Sequence, residues 1–168
     1  MSRLQPDYYI PHITGVTLEF LRRHGIRGLI LDVDNTLTLH DDPQVPARVR
    51  AWLEEMRGEG ILLTIASNNG QQRVEPFARA LRLEYVAKAH KPLSQGLEKA
   101  RSRWGISRRE MAIVGDQLFT DRLAGSLYGI PALVTRPLGP ETKWYIRLKR
   151  VLEKPFFGLY FAKGGKIL

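Results

Sequence analysis

The sequence contains no cysteine, which excludes disulfide bonds, thiolate metal sites and a catalytic thiol. Two common nucleotide-binding patterns, GxxxxGK[ST] and GxGxxG, are also absent, so nucleotide binding through those loops is not expected. The N-terminal stretch MSRLQPDYYIPHITG lacks the apolar run of a secretory signal, and no segment approaches the ~20 apolar residues that would span a bilayer. These absences predict a cytoplasmic protein that is soluble or bound peripherally at the inner face of the membrane.

The composition indicates one globular domain with a basic surface. A chain of 168 residues with 43% hydrophobic residues can bury roughly 70% of the surface that its unfolded form exposes. We therefore expect one domain over residues 1–168, with a core over 27–140 and a C-terminal segment over 141–168. The formal net charge of +9 favours an acidic partner, which could be nucleic acid, an anionic membrane or a phosphorylated substrate.

Strand-like and helix-like segments alternate along the chain. Five segments are short and almost continuously apolar, as strands buried on both faces of a parallel sheet are. They are residues 28–33, 61–67, 84–89, 111–116 and 131–136. Between them, apolar residues recur at helical spacing, and a further helix is expected over 12–25. The alternation predicts a three-layer α/β fold with a five-stranded parallel sheet and right-handed crossovers.

Polar side chains follow the predicted strands at the points where these strands end. They are Asp32 and Asp34 after the first, Ser67 after the second, Lys91 after the third and Asp116 after the fourth. Because ligands bind beyond the carboxyl ends of the strands in such a sheet, we expect these side chains to converge. Two ionised carboxylates ~4 Å apart repel by about 4 kcal/mol at an effective dielectric constant of 20. The site therefore requires a cation, and oxygen ligands without nearby His or Cys suit Mg²⁺.

A bound Mg²⁺ and a phosphate would give each of these residue types a chemical role. We predict that Asp32 attacks phosphorus and forms an aspartyl-phosphate, and that Asp34 acts as the general acid and base. The other predicted site residues are Ser67, Asn68 and Lys91 for the phosphoryl group, Asp116 for the metal ion, and Asp121 to orient the metal-bound waters or Lys91.

Some of these residues have alternative structural explanations. Ser67 and Asn68 are equally suited to cap the helix that follows them, and Asp121 is suited to stabilise a helix dipole. Lys88 competes with Lys91 for the position after the third strand. Further polar residues could reach an open site, and the sequence does not rank them: His90, Gln71, Arg73 and Arg136.

Four short motifs resemble, in order, those of the haloacid dehalogenase (HAD) superfamily of aspartate-nucleophile phosphatases. They are DVDNT (32–36), ASNN (66–69), KP (91–92) and GDQLFTD (115–121). The resemblance implies a Rossmann-like sheet with Asp32 as the nucleophile and Asp34 as the acid/base. It also implies Mg²⁺ held by Asp32, the backbone carbonyl of Asp34 and Asp116. Aspartate at position 34 is typical of the phosphatases rather than the dehalogenases.

The spacing of the motifs leaves no room for a cap domain. Only residues 35–60 separate Asp34 from the second strand, and a plain helix follows Lys91. This capless pattern is similar to subfamily IIIA and to YqeG-like phosphatases, whose mitochondrial relatives dephosphorylate phosphatidylglycerophosphate. An open site of this kind suits a large substrate or a phosphate presented on a surface.

The C-terminal segment concentrates the positive charge. Residues 143–168 contain seven Lys or Arg and one acidic residue, which gives +6 of the total +9. Trp144, Leu148, Val151 and Leu152 share one helical face, Arg147, Lys149 and Arg150 lie toward the other, and aromatic residues follow Pro155. The segment could contact an anionic membrane, where each basic residue contributes about 1 kcal/mol, or its apolar face could pack across the sheet. The two are compatible, because aromatic residues after Pro155 can dock on the core while the basic face stays exposed. So basic a surface also permits nucleic-acid binding.

Two classes of function are consistent with the sequence. The first is a Mg²⁺-dependent phosphomonoester phosphatase, acting on phosphatidylglycerophosphate at the membrane surface or on a small soluble sugar or nucleotide phosphate. The second is a non-catalytic protein that binds nucleic acid or the ribosome. The full set of catalytic residue types favours the enzyme, because a binding protein has no requirement for such a set.

Overall fold

Six strands and six α-helices alternate over residues 3–168, which are the residues described by the computed structural model. The strands are β1 (Tyr8–Ile10), β2 (Gly28–Leu31), β3 (Leu62–Ala66), β4 (Glu84–Val86), β5 (Met111–Gly115) and β6 (Ala132–Thr135). The helices are α1 (Leu18–Arg23), α2 (Ala47–Gly58), α3 (Gln71–Leu81), α4 (Gln95–Ser102), α5 (Leu123–Tyr128) and α6 (Trp144–Ala162). A π-helical turn, Leu118–Arg122, leads into α5.

The six strands form one parallel sheet with the order β1-β6-β5-β2-β3-β4. This confirms the predicted α/β fold, but the predicted count of five strands is wrong because β1 adds a strand at the edge. β1 pairs with β6 through three residues only, from Tyr8 opposite Leu133 to Ile10 opposite Thr135. A three-residue strand that begins with two half-buried tyrosines gives no apolar run, so the hydrophobic pattern does not reveal it.

Two apolar cores lie on opposite faces of the sheet. Leu29 and Leu31 of β2 pack into the larger core with residues of α1, α2 and α3, whereas Ile30 packs into the smaller core with residues of α4 and α5. Alternate side chains of a strand point to opposite faces, and all four residues of β2 are buried. β2 lies in the interior of the sheet, so the residues that follow it stand in the middle of the carboxyl edge.

The helix predicted over 12–25 is divided in the structure. A 3₁₀ turn occupies Ile13–Gly15, and α1 begins only after Thr17, whose hydroxyl accepts a hydrogen bond from the backbone N–H of Phe20 at 3.1 Å. The prediction is wrong in its first half because Thr17 is an N-cap residue with extended backbone, which starts a new helix.

Helix α6 continues through Pro155, and its buried residues are Ile146, Glu153 and Tyr160. The predicted apolar face points outward, because its residues are more than half exposed: Trp144 (72%), Leu148 (53%), Val151 (55%) and Leu152 (54%). The interpretation that this face packs across the sheet is therefore wrong. The aromatic residues beyond Pro155 do dock, since Tyr160 is buried and the ring of Phe157 lies 6.0 Å from that of Tyr9.

The connections on either side of the motifs are short. Residues 32–46 join β2 to α2 and residues 87–94 join β4 to α4, so within the described part of the chain neither position carries an inserted cap. Among residues 3–168, none of the helices has both the length and the apolar character required to cross a bilayer.

Candidate active site

The ends of adjacent strands bring the predicted residues together around one pocket. β2 pairs in parallel with both β3 and β5, so their carboxyl ends meet at the same edge of the sheet. The pocket has a volume of about 140 Å³, and five of the predicted residues line it: Asp32, Asp34, Ser67, Asn68 and Lys91. Asp116 and Asp121 lie beneath it and are almost fully buried.

Lys91 connects two of the carboxylates. Its Nζ donates hydrogen bonds to Oδ1 of Asp32 at 2.8 Å and to Oδ1 of Asp121 at 2.7 Å. Burial alone would lower the pKa of Lys91, but the two carboxylates reverse this effect and raise it above its ordinary value, so the ammonium stays charged. Lys88, the competing candidate, is exposed.

Asn68 and Ser67 have structural contacts as well as a place in the pocket. The amide of Asn68 holds the backbone of Lys91 from both sides, because its Oδ1 accepts the N–H at 2.7 Å and its Nδ2 donates to the carbonyl at 2.9 Å. The Ser67 hydroxyl accepts the N–H of Asn69 at 3.2 Å. The side chain of Asn68 thus positions Lys91, and any contact of Asn68 with a phosphate would fall to its backbone N–H.

The carboxylate of Asp34 is held by three donors. Its Oδ1 accepts from Arg73 at 3.0 Å and from the backbone N–H of Asp41 at 3.0 Å, while its Oδ2 accepts a short hydrogen bond from Asn69. Arg73 was one of four residues that the sequence could not rank, and it reaches the site through this contact. The other three lie outside the residues that line the pocket: Gln71, His90 and Arg136.

Three carboxylates form a group that could hold a metal ion. Oxygens of Asp32, Asp116 and Asp121 all lie within 4.8 Å of one another, and Oδ1 of Asp116 is buried without a hydrogen-bond partner among the described residues. Burial raises the pKa of Asp32 to about 7, against the opposing effect of Lys91. Burial also raises the pKa of Asp116 well above its ordinary value. An oxygen-only set with an unsatisfied buried atom fits a hard divalent cation.

Asp121, predicted to orient the metal-bound waters or Lys91, contacts Lys91 and also contributes an oxygen to the acidic group. Its position depends on Gly115, where an added Cβ would lie 2.2 Å from Cγ of Asp121. Its Oδ2 also accepts the backbone N–H of Gln117 at 3.2 Å, so Asp121 contacts the start of the π-helical turn as well as Lys91. The carboxylate of Asp34 lies outside this group.

Arg150 of α6 is a site residue that the sequence pattern placed with the outward basic residues. Its guanidinium donates to the backbone carbonyl of Asp116 at 2.5 Å and forms a short ion pair with Oδ2 of the same residue. Its other acceptors are Glu141 at 2.8 Å and Glu153 at 3.2 Å. Arg150 therefore fixes one oxygen of Asp116 and leaves the other, Oδ1, directed away from this ion pair.

Glu153 anchors the same helix to the loop after β5. It is 1% exposed, and its Oε1 accepts the backbone N–H groups of Leu118 at 2.7 Å and Phe119 at 3.3 Å. Burial raises the pKa of Glu153, although Arg150 and these two N–H groups oppose the shift. Glu153 is the single acidic residue in the basic stretch 143–168, and this isolation is the sequence signal that could have pointed to the contact.

Comparison with known proteins gives a family match over most of the chain. The model of a family described as mitochondrial PGP phosphatase matches residues 1–139. The probable phosphatase YqeG of Bacillus subtilis (strain 168) is 32% identical over 159 residues, which cover 95% of this chain and 92% of that protein. Phosphatidylglycerophosphate phosphatase 1 of Arabidopsis thaliana is 27% identical over 176 residues, covering 95% of this chain but 50% of its own length. The chain thus spans about half the length of the plant relative.

Solved structures share the fold at low sequence identity. A 4-nitrophenylphosphatase from Thermotoga maritima superposes with a TM-score of 0.58 at 14% identity, covering 83% of this chain and 92% of that one. The cobalt-bound deoxy-D-mannose-octulosonate 8-phosphate phosphatase from Haemophilus influenzae gives a TM-score of 0.54 at 12% identity, covering 80% of this chain and 89% of that one. These similarities concern the arrangement of strands and helices alone.

Proposed function

The chain belongs to the mitochondrial PGP phosphatase family and is a phosphatase of the HAD type, and we propose from this premise that it hydrolyses phosphatidylglycerophosphate with Mg²⁺ as cofactor. The observation that carries the proposal is the convergence of Asp32, Asp34, Ser67 and Lys91 on one pocket beside the acidic group. We take residues 27–140 as the catalytic core and 141–168 as the basic segment. Family membership favours this function over a non-catalytic nucleic-acid-binding role.

In the first step, a carboxylate oxygen of Asp32 attacks phosphorus. The new bond is between that oxygen and phosphorus, and the bond between phosphorus and the leaving oxygen breaks. Asp34 gives its proton to the leaving oxygen, which departs as an alcohol. Lys91, which is hydrogen-bonded to Asp32 at 2.8 Å, and Ser67 would stabilise the charge on the phosphoryl oxygens.

In the second step, water attacks the phosphorus of the aspartyl-phosphate. Asp34 takes a proton from this water, and the bond between Asp32 and phosphorus breaks to release inorganic phosphate. The donors from Arg73, Asn69 and the backbone of Asp41 fix the carboxylate of Asp34 in one orientation, as a group that moves a proton twice requires. Bound at Asp32, Asp116 and the backbone carbonyl of Asp34, Mg²⁺ would supply positive charge to the phosphoryl group.

A substrate screen tests the substrate class. Purified protein with Mg²⁺ would be assayed against phosphatidylglycerophosphate in detergent micelles and against a panel of soluble sugar and nucleotide phosphates. We expect the highest kcat/KM for phosphatidylglycerophosphate. A higher value for a soluble phosphomonoester would instead support the alternative of a soluble HAD phosphatase.

The nucleophile is tested by the substitution Asp32→Asn. Because this change removes the attacking oxyanion, we expect turnover to fall by about a thousandfold or more, and rapid acid quenching of the wild type during turnover should trap a phosphorylated aspartate that the variant lacks. Glu55→Gln on the exposed side of α2 is the matched control and should keep wild-type rates. Substantial turnover in Asp32→Asn would remove Asp32 from the nucleophile role.

We also propose that α6 makes a peripheral contact with an anionic membrane. Support comes from the outward face of exposed apolar residues, Leu148 and Trp144 among them, and from the basic residues beside it. Each such basic residue near an anionic leaflet is worth about 1 kcal/mol before salt screening.

Vesicle co-sedimentation of the full chain tests this contact. Vesicles of phosphatidylglycerol should pellet the wild type more strongly than vesicles of phosphatidylcholine. Arg147→Gln with Lys163→Gln, near the start and at the end of α6, should reduce pelleting, whereas the same loss of charge on α2, Arg48→Gln with Arg50→Gln, should have less effect. Equal pelleting of both double variants would contradict a contact specific to α6.

A further inference from the structure

The pocket extends beyond the acidic group to a rim formed by the start of α6. Lys143 and Lys149 line the same pocket as Asp32, and both are half-buried. Nζ of Lys143 lies 3.4 Å from Oδ2 of Asp41, whereas the ammonium of Lys149 forms no hydrogen bond or ion pair with any residue over 3–168. Asp41 therefore offsets one positive charge at the rim and leaves that of Lys149 uncompensated.

His40 supplies a second unsatisfied group on this side of the pocket. Its side chain is 9% exposed and lines the pocket, and its Nε2 has no hydrogen-bond partner among the described residues. Nε2 lies 3.4 Å from Oδ2 of Asp41 without forming a hydrogen bond. A buried polar atom or a partly desolvated charge without a partner costs free energy. An anionic ligand group at this rim would therefore bind favourably by pairing with Nε2 of His40 and the ammonium of Lys149.

We propose that Lys149, with Lys143 and His40, forms a second anion subsite that selects substrates with a further anionic group beside the phosphomonoester. This inference rests on the proposed function and deepens it, because phosphatidylglycerophosphate carries a phosphodiester separated from its terminal phosphate by one glycerol unit. With the terminal phosphate in the pocket beside Asp32 and Lys91, the phosphodiester would extend toward the rim. The three residues would then determine specificity, while the reaction itself remains with the residues at the strand ends.

A pair of soluble substrates separates this subsite from attraction to a membrane. Glycerophosphoglycerophosphate, the deacylated headgroup, has both phosphates, whereas glycerol 3-phosphate has the phosphomonoester alone. We expect Lys149→Ala to lower the ratio of kcat/KM for the two substrates by about tenfold, mainly through KM for the headgroup, as loss of one charge-assisted hydrogen bond predicts. Lys149→Arg should restore most of the ratio.

Lys154→Ala is the matched control, because Lys154 is an exposed lysine of α6 outside the residues that line the pocket. It removes the same charge from the same helix and should leave the ratio unchanged. An unchanged ratio in Lys149→Ala, or an equal change in both variants, would overturn the subsite, since the first outcome shows no contact and the second shows only a general field of positive charge.

Failure of the subsite can be told apart from failure of the proposed substrate. If the wild type does not hydrolyse the deacylated headgroup, a second readout is the inhibition of p-nitrophenyl phosphate hydrolysis by that headgroup. If the affinity of the headgroup as an inhibitor falls about tenfold in Lys149→Ala but not in Lys154→Ala, the subsite is supported and the proposed substrate is contradicted. No inhibition at all would overturn both.

Discussion

Replacing Arg150 by methionine should destabilise the protein strongly, because Arg150 is the one cation among residues 3–168 that pairs with Oδ2 of Asp116. The same guanidinium also pairs with Glu141 at 2.8 Å and with Glu153 at 3.2 Å, and both of these carboxylates are largely buried. Breaking a buried ion pair by removing one partner costs about 3 to 5 kcal/mol, since a charge is left without compensation. Methionine retains much of the apolar stem, so lost packing contributes little.

The side chain of Arg150 is 17% exposed, so solvent screens part of the interaction and we expect the lower end of that range, about 3 kcal/mol. In a domain of this size, each kcal/mol shifts the melting temperature by about 2 to 4 °C. Calorimetry should therefore show a fall of about 6 to 12 °C. Arg147→Met, one turn earlier and exposed, is the control and should change the free energy of unfolding by less than about 0.5 kcal/mol.

A double-mutant cycle shows whether the effect comes from the ion pairs. Glu153→Gln keeps an acceptor for the backbone N–H of Leu118 but removes one negative charge. It should therefore cost less in the Arg150→Met background than in the wild type, with a coupling of about 0.5 to 3 kcal/mol. The stabilising role assigned to this network is refuted if Arg150→Met melts at the same temperature as the wild type. It is also refuted if the effects of the two substitutions on the free energy of unfolding are additive.

Three further predictions concern the acidic group. Gly115→Ala should disorder the site and lower both the melting temperature and turnover, because the added Cβ would lie 2.2 Å from Cγ of Asp121. Gly158→Ala in α6 is the control, because nothing lies within 4 Å of an added Cβ there. In the same calorimetric scan it should instead raise the free energy of unfolding by about 0.5 to 1 kcal/mol. Lys91→Met should lower kcat for p-nitrophenyl phosphate by about a hundredfold or more, because it removes a fixed donor beside Asp32; a kcat within a few-fold of the wild type would remove Lys91 from the site. Addition of MgCl₂ to metal-free protein should raise its melting temperature, and Asp116→Asn should abolish most of this shift; an equal shift in the variant would place the metal elsewhere.

The sequence predicts the parts of the fold that depend on local pattern. β2 is recognisable because it is buried on both faces and therefore appears as a continuous apolar run. The positions of Asp32 and Ser67 follow from the same reasoning, because residues directly after parallel strands meet at one edge. β1 gives no comparable signal, since three residues at the edge of a sheet carry too little pattern.

The contacts that the sequence does not predict join residues far apart in the chain. Arg150 meets Asp116 across 34 residues, and Arg73 meets Asp34 across 39. Periodicity says which residues share a face of a helix, but it does not say which way the helix is turned. A long, flexible, charged side chain therefore gives no local signal of the partner that it will reach.

Helix α6 illustrates this limit, because its inward side mixes the apolar Ile146 and the aromatic Tyr160 with the buried Glu153, while the apolar face that its sequence predicts is exposed. A surface helix normally buries its apolar stripe, yet here Arg150 and Glu153 face inward and Leu148 faces solvent. The inward charges are stable in that position because each meets an opposite charge or a backbone N–H group at the ends of the strands. The ion pairs of Arg150 and the contacts of Ile146 and Tyr160 thus lie on the inward side of the helix, opposite the exposed apolar face. A sequence that combines a buried acidic site with a basic amphipathic helix should be interpreted with both orientations in view.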